Sequence, residues 1–112
     1  MASYTAAQLY GAGVVGENLS GLKTFTFTNT GDSSYFTLET IPDNNGTFTN
    51  VPQACGTGVW TAPALSGFIQ TPYGASAVIQ PGTTVITFTP TVAITGTNYR
   101  LRGTGVFTLV IT

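Results

Sequence analysis

The chain has 112 residues, 42% of them apolar and only 6% charged, with a formal net charge of −1. That is enough for one domain with its own core, and seven Phe among so many apolar residues exclude a disordered chain. Three Lys+Arg cannot make the basic footprint that nucleic acid or an anionic membrane surface requires, so neither is an expected partner.

Residues 1–21 are small and Gly-rich, with Glu17 their only charge. Ser3 to Leu9 can make one helical turn, but Gly11, Gly13 and Gly16 stop anything longer. The expectation is an irregular arm whose apolar residues Leu9, Tyr10, Val14 and Val15 lie on a neighbouring subunit instead of their own core. This start has no basic n-region and no long apolar stretch, so no signal peptide is expected. No run approaches the ~18 apolar residues of a membrane helix.

From residue 22 onward the pattern is that of strands. Phe25 and Phe27 alternate with Thr24, Thr26 and Thr28, and a turn signal runs from Asn29 to Ser34. Tyr35 to Ile41 puts Phe36 and Leu38 on one face, and Pro42 to Gly46 ends in the hairpin dipeptide Asn45-Gly46. Short strands are expected at Thr47 to Val51, Val59 to Thr61, Gly67 to Thr71 and Ala75 to Gln80, with a loop from Gln53 to Gly58. Pro81-Gly82 is a type II turn signal. Then Thr84, Ile86 and Phe88 share a face opposite Val85, Thr87 and Thr89, and Tyr99 and Leu101 alternate with Arg100 and Arg102. Phe107, Leu109 and Ile111 close the chain opposite Val106 and Val110. Prolines at 42, 52, 63, 72, 81 and 90 punctuate the strands at the spacing of an antiparallel β-sandwich. The fold expected is a single all-β sandwich, immunoglobulin-like or jelly-roll, over residues 22–112.

Catalytic and metal constellations are largely excluded. Without His there is no Ser-His-Asp or Cys-His pair and no imidazole site. Cys55, the only cysteine, has no base nearby in sequence and reads as a small buried thiol; it also rules out a disulfide framework. The carboxylates Glu17, Asp32, Glu39 and Asp43 are scattered, and only Glu39 with Asp32 or Asp43 offers a glycosidase-type pair. Asp43 to Gly46 lacks the ligand spacing of a calcium loop. Gly11, Gly13 and Gly16 match G-x-G-x-x-G, but no helix follows to hold a pyrophosphate. The sequons at Asn18 and Asn45 read as chance. No enzyme, cofactor, metal or small-molecule substrate is expected.

Arg100 and Arg102 share one outward face, where they either grip a phosphate or a partner's carboxylate or pair with Glu39. Trp60, Tyr35 and Tyr73 are candidates for a sugar-stacking platform, although a lone Trp on a short strand more often belongs to a core. Tyr99, preceded by Thr95 to Asn98, resembles the tyrosine corner of immunoglobulin-like sandwiches, in which the hydroxyl bonds back to the preceding loop.

Thr supplies about a fifth of the chain, and a surface so poor in charge suits a subunit held in an assembly. In size, composition and strand punctuation, residues 22–112 resemble the small Thr/Gly-rich β-sandwich proteins that decorate or build bacteriophage particles. That resemblance implies a non-enzymatic virion subunit, a capsid decoration or tail component made in the host cytoplasm. Its partners would be copies of itself and other virion proteins, through Leu9, Tyr10, Val14, Val15, Arg100, Arg102, Val106 and Val110. The rival reading is a carbohydrate- or host-surface-binding module, which an exposed Trp60 beside a Tyr would favour.

Overall fold

A computed structural model describes residues 2–41, 55–62, 67–94 and 99–112. The elements are β1 (Ala2–Thr5), α1 (Ala6–Leu9), β2 (Val14–Val15), β3 (Lys23–Asn29), β4 (Ser34–Thr40), β5 (Gly58–Thr61), β6 (Ile69–Thr71), β7 (Gly74–Ile79), β8 (Gly82–Pro90), β9 (Tyr99–Thr104) and β10 (Phe107–Ile111). The hairpin expected at Pro42 to Gly46, the strand from Thr47 to Val51, Asp43, Asn45 and the loop Thr95 to Asn98 lie outside the described residues.

The strands form two antiparallel sheets, β1-β10-β3-β8-β5 and β2-β9-β4-β7-β6. The pairs β1–β10, β2–β9, β3–β8 and β4–β7 are those of one long antiparallel ribbon, as if the chain were folded in half. The ribbon is then rolled, so that β3 also pairs with β10 and β4 with β9. A ribbon rolled this way is a jelly roll, and the immunoglobulin-like alternative does not apply. Among the described strands the chain passes to the other sheet after every one but β6, so only β6 and β7 are neighbours both in sequence and in a sheet.

Period-two alternation fixes which side chains fill the space between the sheets. Phe25, Phe27, Phe36, Leu38, Ile86, Phe88, Tyr99, Leu101, Phe107, Leu109 and Ile111 are all buried, as the sequence leads one to expect. Phe36 on β4 meets Phe25 and Phe27 of the opposite sheet edge-to-face, with ring centroids 5.9 and 4.9 Å apart. Phe27 also meets Phe107 at 5.3 Å. Such ring pairs add about 0.5–1.5 kcal/mol each beyond area burial. At one end of the sandwich, buried Asn29 ties the β3–β4 turn together. Its Nδ2 donates to the carbonyls of Asp32 and Ile79, both at 2.8 Å, and its Oδ1 accepts from Gly31 N at 2.9 Å. That turn is why the run from Asn29 to Ser34 is so polar.

The N-terminal segment packs against its own domain, contrary to the expected arm. Residues 2–5 add a strand to the first sheet, pairing Ala2 with Ile111 and Thr5 with Thr108. Thr5 then caps α1 in a capping box: its Oγ1 accepts from Gln8 N, and Gln8 Oε1 accepts from Thr5 N at 2.8 Å. The single turn packs on β9 and β10, which belong to different sheets, and puts Ala6 and Leu9 into the core. Leu19 closes the segment with a two-bond bridge to Ile94. The terminal segment is therefore part of the sandwich. Val106 is a second correction. It lies in the β9–β10 turn after Gly105 (φ 115°), so only Val110 stands on the last strand.

Candidate functional site

The two outer faces of the sandwich differ sharply. On the first sheet, cross-strand register lines up Thr5, Thr108, Thr28 and Thr83 in one row. The next row is Ser3, Val110, Thr26 and Val85, and a third is Thr24, Thr87 and Thr61. Thr89 and Val59 complete the face. These rows contain hydroxyls and methyls and no charge. Lys23, the only ionisable group on β3, has the inward parity and sits at the strand end.

The second sheet gathers charge and aromatic rings. Glu39 on β4 lies opposite Arg100 on β9, with Arg102 two residues along. Arg100 Nε donates to Glu39 Oε1 at 2.6 Å, and Arg102 Nη1 donates to the same oxygen at 3.1 Å. Of the options open to these arginines, pairing with Glu39 within the chain is the one observed. Beside this cluster lies a cleft of ≈ 530 Å³ whose walls include Tyr35, Ile69 and Tyr73, with Thr37, Glu39, Ala75 and Ser76. A smaller hollow of ≈ 260 Å³ adjoins it on the β9 side, sharing Tyr35, Thr37 and Glu39 and adding Arg102. Tyr35 is 45% exposed, Ile69 60% and Tyr73 56%.

Gly13 explains part of how Arg102 is held. Its φ is +73°, and a Cβ there would collide with the Leu101 carbonyl and the Arg102 stem. Only glycine lets the chain entering β2 run this close to β9. The G-x-G-x-x-G match is a set of left-handed turns at Gly11, Gly13 and Gly16, followed by β2 and irregular chain. Within the same segment Tyr4 donates to Glu17 at 2.6 Å, and burial with that bond pushes the phenol up to about 12.

Other candidates are dispersed. Trp60 faces inward from β5 and stacks on Phe88, centroids 3.9 Å apart and planes 13° from parallel, while its Nε1 donates to Gly56 O. It is on the other sheet from Tyr35 and Tyr73, so the three do not form one platform. Asp32 precedes β4 and Glu39 is its last residue but one, about 20 Å apart along the chain, too far for a carboxylate pair. Cys55 is fully buried, donating to Tyr73 O at 3.0 Å and accepting from Thr40 Oγ1 at 3.0 Å. Desolvation raises its pKa from the usual 9.0 to about 11, so it is an inert thiol. Among the described residues no group of His, Cys, Asp and Glu could hold a metal. Tyr99 sits in the core with its hydroxyl 3.5 Å from Ile94 O, a long version of the expected corner bond.

The residues expected at an interface are not one patch. Leu9 is wholly inside the core, and Val14 faces inward beside Leu101. Val15, 46% exposed, adjoins Arg100 and so shares a face with Arg102. Val110 is on the opposite sheet, while Tyr10 and Val106 are exposed near the ends of elements. Sequence reasoning named Tyr35 and Tyr73 but joined Trp60 to them, and it missed the Thr37, Ile69 and Ser76 that line the cleft between them. Its signal is faint: outward positions on β4 and β6 joined by a pairing that sequence does not show. No family model, curated protein or solved structure matches the chain.

Proposed function

We propose that the chain is a non-enzymatic structural subunit of a bacteriophage particle, decorating or stabilising capsid or tail through contacts with copies of itself and other virion proteins. The observation that carries this reading is the uncharged Thr/Val face of the first sheet. A free monomer usually keeps itself soluble with mixed surface charge, and this face has none to oppose close approach of another surface. Strands about 4.8 Å apart and four rows of two to four positions, about 7 Å from row to row, give on the order of 400 Å² per copy, below the ~800 Å² of a stable pairwise interface. Contacts of that size hold when many are made together, as in a repeating shell. Jelly rolls serve in viral shells and in lectins alike, so the fold alone does not decide between them. In the host that makes it, the chain should cosediment with purified particles in stoichiometric amount. Recovery only in the soluble lysate would refute the reading.

A further inference from the structure

We propose that the outer face of the second sheet binds an acidic saccharide, a short chain of sugars carrying a carboxylate, in the cleft between Tyr35 and Tyr73. This does not depend on the virion reading, since a subunit without any ligand would still assemble through its other face.

Three features of the cleft point to that chemistry. Its ends are tyrosines, and by register Tyr35 and Tyr73 lie about five residues apart along the strands, roughly 17 Å, so a short extended ligand can touch both rings. Between them the floor is amphipathic: Thr37 and Ser76 stand directly opposite each other, and Ile69 lies across from Ser76. A sugar matches this pattern, with C–H faces for the rings and Ile69 and hydroxyls for Thr37 and Ser76.

Charge selects the acidic form. Glu39, Arg100 and Arg102 sum to +1, and two of the three cations of a chain with net charge −1 are gathered here. Both guanidiniums bond the same oxygen, Arg100 through Nε and Arg102 through Nη1. Arg102 thus keeps N–H donors that have no partner among the described residues, and it lines the hollow that opens off the cleft. Glu39 fixes the arginine in place while the remaining donors are set to take a carboxylate through two parallel bonds. Gly13, without a side chain, leaves room for the stem of the same arginine.

The test uses the full chain. Trimers of glucuronic, galacturonic and mannuronic acid are titrated against the corresponding methyl esters, which keep the ring and remove only the charge. Binding is followed by calorimetry and by amide shifts in ¹H–¹⁵N spectra. At least one acidic trimer should bind, moving Tyr35, Thr37, Ser76 and Arg102, with its ester tenfold or more weaker. Arg102→Gln should abolish the preference for acid over ester, and Tyr35→Ala should weaken both forms, each in a variant whose spectrum shows the native fold. Equal binding of acid and ester, shifts confined to the opposite sheet, or no binding by any of the acids would overturn the proposal.

Discussion

Replacing Leu9 by Ala asks whether the first residues belong to the core. Leu9 is fully buried at the end of α1, against β9 and β10, where the two sheets meet. Truncating a buried Leu removes its transfer free energy and leaves a cavity, at a cost of about 2.7–5 kcal/mol. With an unfolding entropy of about 2.1 cal/mol/K per residue, 112 residues give roughly 0.24 kcal/mol/K. A loss of about 3 kcal/mol should therefore lower Tm by ~13 °C. Trp60, the only tryptophan, stacks on core Phe88 and gives a fluorescence signal for urea and thermal unfolding. Tyr10→Ala is the internal control, because Tyr10 is 71% exposed and should change stability by about 0.5 kcal/mol or less. If Leu9→Ala and Tyr10→Ala cost the same, the terminal segment is not docked and the reasoning fails.

Phe36→Ala should cost about 3–5 kcal/mol by urea unfolding, since it removes the ring that joins Phe25 and Phe27 across the sheets. Gly13→Ala should destabilise clearly more than Gly11→Ala: both have positive φ, but only at Gly13 does a Cβ meet backbone, and thermal melts of the pair will show it. Cys55 should resist an aromatic disulfide reagent at pH 8 until the chain unfolds; rapid labelling of native protein would contradict its burial. Because its folded pKa is raised from 9.0 to about 11, the native state holds the proton more tightly than the unfolded one. Its contribution is thus complete below about pH 9 and is lost as pH rises toward 11, a trend that Cys55→Ser should flatten.

The parts of the fold that sequence revealed are those set by local alternation. Phe25/Phe27, Ile86/Phe88 and Phe107/Leu109/Ile111 recur every second residue, which is enough to assign their face without knowing any partner strand. Glu39 facing Arg100 and Arg102 was legible for the same reason, as all three have the outward parity of their strands. What failed is what depends on distant pairing. Ala2 bonds a strand 109 positions away, at Ile111, and a four-residue segment beside three glycines carries no periodic signal of its own. Gly11, Gly13 and Gly16 made Leu9, Tyr10, Val14 and Val15 look unanchored, while in the structure Leu9 and Ala6 anchor the segment in the core. Trp60 was assigned to the core by residue type alone, since the faces Gly58/Trp60 and Val59/Thr61 of its four-residue strand differ little, and it does pack inward on Phe88. The cleft at Tyr35 and Tyr73 exists only because β6 and β7 are brought beside β4.

Self-association through the Thr/Val face is tested most directly by the mass of the purified chain, measured by sedimentation from low micromolar to near-millimolar concentration, beside Val85→Lys. Val85 is 40% exposed in the middle of that face, in register with Thr26, so a lysine there adds charge without entering the core. The wild-type mass should rise with concentration while the folded variant stays at the 11.6 kDa of one chain. A wild-type chain that remains monomeric throughout, or a variant that associates equally well, would contradict the account.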